Sequence, residues 1–155
     1  MKVLMATDGT GAALRAAQVA LGLLREDVDI VLLTVVQNYE DPLAMAGGFE
    51  GPLITPEEAE EEYRRQQALG QAALERARTA LGRDADIRLV PTDSEPGHAI
   101  VEVVNELHPD LVVLGSIEKG FFMRLLTGSV SDYVVHHAQC PVLVVPYHGP
   151  TETLE

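Results

Sequence analysis

A continuous apolar run followed by a glycine-rich loop is the feature of this chain that most constrains its fold. The run consists of Leu111, Val112, Val113 and Leu114. Four consecutive apolar residues of this kind favour a parallel strand that is buried on both faces. We expect this strand to end at Gly115, to be followed by a loop as far as Gly128, and then by an apolar-periodic helix from Ser129 to His137.

The loop has features of an anion-binding site. Gly115, Gly120 and Gly128 permit close approach of the backbone to a ligand, and free N–H groups at the start of the next helix carry partial positive charge. Ordinary turns use the same residues, so spacing alone leaves phosphate binding and a plain strand-to-helix turn both open. A P-loop is excluded, because Phe121 and Phe122 stand where that motif needs Lys and Ser or Thr.

The rest of the chain alternates between strand and helix patterns. Short apolar strands are predicted at residues 3–6, 30–36, 86–91, 111–114 and 141–145, with four helices between them. Thr10 is the expected N-cap of the first helix, Thr55 and Glu58 form a capping box for the second, and Gly82 ends it. This alternation predicts an α/β protein with an open five-stranded parallel sheet, right-handed crossovers and helices on both faces, a Rossmann-like fold.

We expect a single domain over residues 1–147, with a long loop at 37–54 and a tail at 148–155. A chain of 155 residues buries roughly 70% of its unfolded surface, which is enough for a core without disulfides. The single cysteine, Cys140, is predicted to behave as a buried small hydrophobe. Loops as long as 37–54 tend to be lids, binding loops or disordered segments, and three alternatives stay open for Met45, Phe49 and Leu53: they cover a ligand, a dimer partner or nothing.

The acidity of the chain excludes several classes of partner. Its 24 acidic and 11 basic residues give a formal charge of −13, which repels nucleic-acid backbones and anionic membrane surfaces. No apolar run approaches the roughly 18 residues of a membrane-spanning helix, and the apolar start of the chain is too short for a signal peptide. We therefore predict a cytoplasmic protein that binds neither nucleic acid nor membranes.

No catalytic or metal-ligating cluster is predicted. The run from Glu57 to Glu62 distributes its carboxylates around a helix axis, which favours a solvated first turn over a metal site. The adjacent His136 and His137 point about 100° apart on their helix, so one ion does not easily use both. No nucleophile stands beside a visible base.

The end of the first strand carries a second candidate site. Asp8 is consistent either with a turn residue that accepts hydrogen bonds from backbone N–H groups or with a ligand-binding carboxylate at the carboxyl edge of the sheet. Gly9 and Gly11 match the first two glycines of a dinucleotide fingerprint, but Leu14 replaces the third. An oxidoreductase built on this turn is therefore the weakest of the functional hypotheses.

The 110–130 stretch resembles the phosphate loop of the universal stress protein family. Nucleotide-binding members of that family carry Gly-x-x-Gly, a fixed spacer, and then Gly followed by Ser or Thr, directly after the fourth strand. Gly115, Gly128, Ser129 and Val130 fall at matching positions with the spacing intact. One position departs from the pattern, because Glu118 replaces the second glycine.

The resemblance implies a strand order of 3-2-1-4-5 and a nucleotide-binding stress-response regulator with at most slow ATP hydrolysis. The implied ligand is ATP or another adenine nucleotide, with Mg as a possible companion. Asp8 would contact the ribose and Val35 the adenine. The implied partner is a second copy of the chain, paired through the fifth strand from Val142 to Val145. The implied nucleotide-binding residues are Ala6, Thr7, Asp8, Val35, Gly115, Ser116, Gly128, Ser129 and Val130.

An alternative from another functional class follows from the departure at Glu118. A carboxylate within several ångströms of the β- and γ-phosphates repels them. At about 4 Å, the repulsion of each unit charge costs roughly 1 kcal/mol in water and about 4 kcal/mol at an effective dielectric of 20. Only Lys119 and Arg124 lie in or beside the loop to offset it. The alternative is a dimeric, stress-related interaction module that does not bind ATP.

Overall fold

The computed structural model describes residues 1–38, 55–117 and 130–147. Within them, five strands alternate with four helices. In chain order the elements are β1 (Lys2–Ala6), α1 (Gly11–Leu23), β2 (Asp29–Gln37), α2 (Pro56–Leu81), β3 (Asp86–Thr92), α3 (Pro96–Leu107), β4 (Leu111–Ile117), α4 (Val130–His137) and β5 (Val142–Tyr147).

The strands form one parallel sheet in the order β3-β2-β1-β4-β5. The predicted fold class and strand order are therefore confirmed. The chain leaves β1 toward β2 on one side and later returns to β4 on the other, so the order reverses between β1 and β4. In open sheets of this kind, ligands bind outside the carboxyl ends of the strands at that reversal.

Alternate residues of the central strands pack against two different helical layers. On one face, Val3, Met5, Ile30 and Leu32 contact α1 and α2, whose buried side chains are mostly alanines: Ala16, Ala17, Ala20, Ala73 and Ala77. We call α1 and α2 the alanine layer. On the other face, Leu4, Val31 and Leu33 contact α3 and α4, whose buried side chains are mostly branched: Ile100, Val103, Val104 and Val134. We call α3 and α4 the valine layer.

The helix ends of the alanine layer follow the sequence closely. The Thr10 hydroxyl accepts a hydrogen bond from the N–H of Ala13, as an N-cap does. Thr55 and Glu58 form the predicted reciprocal capping box, and Gly82 ends α2 in the left-handed conformation, with φ of 61°. Among the described residues, no helix combines the length and hydropathy needed to cross a membrane.

The prediction that the fourth strand ends at Gly115 is wrong. β4 continues to Ile117, because β5 is also longer than predicted and pairs Gly115 with Val145 and Ile117 with Tyr147. Pro146 is tolerated in this ladder because β5 lies at the edge of the sheet, where a missing N–H leaves no interior strand unpaired. Gly115 therefore belongs to β4 rather than to the predicted loop.

Candidate functional site

A cavity of about 450 Å³ lies at the point where the strand order reverses, outside the carboxyl ends of β1, β2 and β4. Six of the residues predicted to bind nucleotide line it: Ala6, Thr7, Asp8, Val35, Gly115 and Val130. They come from three strands and the start of α4, so the fold gathers residues that are more than a hundred positions apart in the chain. The position agrees with the ligand site expected of such a sheet.

The other predicted residues are not placed in this cavity by the structure. The backbone of Ser116 lies in β4 opposite Pro146. Gly128 and Ser129 lie outside the described residues, as do Glu118, Lys119 and Arg124 of the same loop. The loop predicted at 37–54 overlaps β2, because Gln37 belongs to that strand. Residues 39–54 and the predicted tail 148–155 also lie outside the described residues.

The turn between β1 and α1 is held by hydrogen bonds among its own residues. The N–H of Gly9 donates to the hydroxyl of Thr7 at 3.1 Å. The carboxylate oxygen Oδ1 of Asp8 accepts from the N–H of Thr10 at 2.9 Å and from its hydroxyl at 2.6 Å. Gly9 has a φ of +75°, a backbone conformation that costs free energy for any residue with a Cβ. The turn therefore has a defined shape before any ligand arrives.

Asp8 combines the turn role with a ligand-facing position. Its Oδ1 caps the turn, as one of the two sequence interpretations proposed. The residue is exposed and lines the cavity, and within the described part of the chain no hydrogen bond is made by its second oxygen, Oδ2. One carboxylate oxygen is thus fixed by the protein while the other remains available to a hydrogen-bond donor in the cavity.

Neighbouring strand β2 also holds the turn. The buried hydroxyl of Thr34 donates to the carbonyl oxygen of Thr7 at 2.6 Å, and the N–H of Thr7 donates to the carbonyl of Leu33 at 2.8 Å. Since Leu33 and Val35 both line the cavity, the same strand supplies part of the apolar wall and fixes the carboxylate beside it. The geometry places an apolar surface next to a single carboxylate.

Sequence reasoning missed the wall supplied by α3. Pro96 and Ile100 line the cavity one helical turn apart, although they follow β3, which lies at the far edge of the sheet. The only sequence signal is a proline at the first helical position after a strand, with an apolar residue four positions later. It marks a helix start, but it does not reveal that α3 crosses back over the ends of β1 and β2.

A second cavity of about 690 Å³ adjoins the first and shares Asp8, Val35 and Pro96 with it. It extends between the end of β2 and α2, and its charged lining residues are Asp8, Glu62 and Arg76. Hydrogen bonds from Arg65 and Gln66 lower the pKa of Glu62 from its ordinary 4.5 to about 2. By contrast, Asp8 is the only charged residue among the described ones that line the first cavity.

The cavities do not suggest a metal centre. Among residues 1–38, 55–117 and 130–147, no group of three or more His, Cys, Asp or Glu side chains is placed to hold a metal ion. The described lining of the first cavity consists instead of apolar side chains, threonines, one serine and Asp8, together with the backbone at Gly115. This set suits an organic ligand that has an apolar face and hydroxyl groups.

An open parallel sheet with a cavity at its strand reversal places the chain among α/β proteins with a Rossmann-like fold. Comparison with known proteins makes the assignment specific. Residues 1–146 match the model of the universal stress protein family. The chain belongs to the universal stress protein family.

Individual relatives agree with this assignment. The chain is 31% identical over 147 residues to the universal stress protein MJ0531 of Methanocaldococcus jannaschii, covering 93% of this chain and 81% of the relative. A solved universal stress protein in complex with cAMP is 25% identical, with a TM-score of 0.60 and coverage of 94% of this chain and 96% of the other. A universal stress protein family protein from Arabidopsis thaliana with AMP bound shares the fold, with 23% identity, a TM-score of 0.65 and coverage of 98% and 97%.

Proposed function

We propose that this protein binds an adenine nucleotide in the cavity at the strand reversal and acts as a nucleotide-dependent regulator of a stress response. The observation that carries the proposal is Asp8, which lines a cavity with an apolar wall and whose Oδ1 is fixed by Thr10, leaving Oδ2 without a hydrogen bond among the described residues. A nucleoside needs both elements, because its base is largely apolar on its faces and its ribose hydroxyls donate hydrogen bonds.

The three parts of a nucleotide have separate candidate partners. Val35 and Leu33 form an apolar surface for the base. Oδ2 of Asp8 accepts from a ribose hydroxyl. The exposed backbone at Gly115 and the start of α4 at Val130 line the end of the cavity where a phosphate meets free N–H groups. Ser116, Gly128 and Ser129 are proposed as further phosphate contacts by their resemblance to the family motif.

The relative in complex with cAMP supports an adenine nucleotide as the ligand class. We further propose that ATP is accepted, with Mg neutralising its phosphates, and that the protein acts in the cytoplasm. Any hydrolysis is slow, since no general base other than Asp8 lines the described part of the first cavity.

The experiment is calorimetric titration of AMP and ATP into wild type and Asp8→Asn, with mass spectrometry of any nucleotide that co-purifies. Asparagine keeps an oxygen that can accept the Thr10 bonds but loses the charge at Oδ2. We expect affinity to fall about tenfold while the melting temperature stays within a few degrees, since charged hydrogen bonds exceed neutral ones by roughly 1.4 kcal/mol. Undiminished affinity in Asp8→Asn, or no nucleotide binding by wild type, would overturn the proposal.

The second candidate function is that of an interaction module that does not bind ATP. Glu118 is the residue that favours this alternative. The matched pair of proteins is wild type and Glu118→Gly, titrated with ATP and AMP with and without magnesium. If the protein binds ATP and Glu118 hinders that binding, the glycine variant should bind ATP at least about tenfold more tightly, or by about 1.4 kcal/mol. Its gain in affinity for AMP should be clearly smaller. ATP binding that is absent in wild type and restored in the glycine variant would favour the interaction module, because its loss of ATP binding is attributed to Glu118.

A homodimer is proposed for both candidate functions. β5 lies at the edge of the sheet, and an apolar edge strand is normally covered or paired. Pairing β5 with its copy, through Val142 to Val145, satisfies that edge. Light scattering at micromolar concentration is expected to give twice the 16.8 kDa chain mass, and a monomeric mass would contradict it.

A further inference from the structure

The second cavity contains a cation that the proposed nucleotide site does not use. Arg76 lines this cavity from α2, and its Nη2 lies 3.1 Å from the position that a Cβ on Gly9 would occupy. The guanidinium therefore sits beside the residue that follows Asp8. It is exposed, and within the described residues it has no ion pair or hydrogen bond.

Most other arginines in the described residues are already engaged. Arg25, Arg64, Arg65, Arg78 and Arg88 each pair with a carboxylate. Although the chain has a formal charge of −13, the Arg76 guanidinium, which lines the second cavity, has no ion-pair partner among the described residues. An unpaired guanidinium carries five N–H donors in a planar fork that matches phosphate geometry.

The two acidic residues that line the same cavity form no ion pair with Arg76 among the described residues. Glu62 lies fourteen positions before Arg76 on α2, which corresponds to roughly 21 Å along a helix and exceeds the Debye length of about 8 Å at physiological salt. Glu62 is also paired with Arg65 at 2.8 Å. Asp8 lines the same cavity, but among the described residues it forms no ion pair with Arg76, and its Oδ1 accepts hydrogen bonds from Thr10.

We propose that Arg76 forms an anion subsite for a second phosphate, carried on a ribose hydroxyl of the bound nucleotide. The inference rests on the proposed function. Asp8 lines both cavities, so a ribose bonded to its Oδ2 stands at their junction. A group on the 2′ or 3′ oxygen then extends toward the second cavity, where Arg76 lies beside the same turn. The favoured ligand class is an adenosine 5′-phosphate that carries another phosphate on its ribose.

The geometry also explains what the second phosphate must overcome. It approaches the Asp8 carboxylate, and the nearby guanidinium is the described group that offsets this repulsion. Removal of Arg76 therefore leaves a ribose phosphate facing Asp8 without a counter-charge, whereas a nucleotide with free hydroxyls loses little. The effect of the residue is selective among ligands rather than uniform.

The experiment titrates AMP, adenosine 2′,5′-bisphosphate and adenosine 3′,5′-bisphosphate into wild type, Arg76→Gln and Arg15→Gln. Arg15 is an exposed arginine of α1 that lines neither cavity, so its variant controls for net charge. We expect one bisphosphate to bind wild type at least about tenfold more tightly than AMP, as a charge-assisted hydrogen bond allows. Arg76→Gln should abolish this gain and change AMP affinity by less than about twofold, while Arg15→Gln keeps the gain.

The two bisphosphates identify which ribose oxygen faces Arg76. A third variant, Arg76→Lys, retains charge without the planar fork and is expected to recover part of the gain. Equal affinity of wild type for AMP and both bisphosphates would overturn this inference and leave the proposed function intact. A gain that survives Arg76→Gln would overturn it as well, and absence of binding by all three ligands would overturn both.

Discussion

The alanine layer and the valine layer hold opposite walls of the same cavity in different ways. In the alanine layer, contact is made by backbone and methyl groups: a Cβ on Gly9 would overlap the Cβ of Ala73. In the valine layer, contact is made by side chains: a Cβ on Gly97 would lie 3.1 Å from the nearest atoms of the Tyr133 side chain. Small residues let elements approach closely, but they leave no side chain to rearrange.

Because of this difference, the two walls of the cavity should differ in how far they can move when a ligand binds. The turn that carries Asp8 is fixed against α2 with no room to adjust. In the other layer, the Tyr133 ring stacks on His137 with centroids 3.9 Å apart and contacts His98 at 4.1 Å, so its position depends on torsions that can change. The charged wall should therefore be rigid, and the wall formed by Pro96, Ile100 and Val130 should adapt to the ligand.

The largest expected effect is that of Gly9→Ala. Positive φ costs a residue with a Cβ about 1–2 kcal/mol, and the overlap with Ala73 adds roughly 1–3. Chemical denaturation should show that the free energy of unfolding falls by the sum of these two costs, roughly 2–5 kcal/mol. The control is Gly11→Ala, two residues later, where a Cβ meets nothing within 4 Å and where stability should be unchanged or slightly higher. Equal effects of both substitutions would show that the turn is not held against α2.

The next effect separates two caps of the same residue type. Thr10→Ala and Thr55→Ala each remove a helix N-cap in the alanine layer and should each lower stability by about 1 kcal/mol. Only Thr10 also donates to Asp8, so only its loss should weaken nucleotide binding, by up to roughly tenfold. Denaturation and calorimetry measure the two quantities. Equal affinities of the two variants would remove Thr10 from the positioning of Asp8.

The side-chain contact of the valine layer should be more forgiving. In Gly97→Ala, the new Cβ approaches the Cβ and the ring of Tyr133 at 3.1 Å, and a shift of α3 and α4 apart by a few tenths of an ångström, together with a small movement of the ring, relieves it. Alanine also favours the helix by roughly 0.8–1 kcal/mol over glycine, so the net change should stay within about 1. A loss as large as that of Gly9→Ala would contradict the distinction between the layers.

The sequence predicted the parts of the molecule that depend on local chemistry. The cap at Thr10, the capping box at Thr55 and the left-handed Gly82 need only neighbouring residues. The strand end predicted at Gly115 is wrong because the conformation there depends on pairing with Val145, thirty residues later. Arg76 carries no signal in the sequence at all, because only the packing of Ala73 against Gly9 brings that turn of α2 to the site.

The same distinction applies to the candidate site. Asp8 follows the end of β1 and Val35 lies near the end of β2. The carboxyl edge of a parallel sheet brings strand ends together, so both could be selected from the sequence with the family motif as a guide. Pro96 and Ile100 could not, because their place in the cavity depends on where α3 crosses the sheet. Strand order is a matter of topology, whereas the position of a crossing helix is a matter of packing.

The smallest expected effect concerns the solvent side of the alanine layer, at Glu62. Its pKa in the folded protein is lowered from 4.5 to about 2, first by the hydrogen bond from Arg65 and then by that from Gln66. A carboxylate with a depressed folded pKa contributes stability above its unfolded pKa and loses that contribution as pH falls. The window for Glu62 is therefore between pH 4.5 and about 2. Exposed ion pairs contribute little to stability, so we expect a shallow slope of stability against pH in this window rather than a large loss of stability.

Glu62→Gln should flatten the acid limb of stability in that window, because the glutamine does not titrate. The control is Glu61→Gln, which removes a neighbouring exposed carboxylate of the same helix turn and should leave the slope as in wild type. Denaturant midpoints measured at several pH values across the same window test both variants. Parallel pH profiles for all three proteins would show that the pairing of Glu62 with Arg65 contributes nothing.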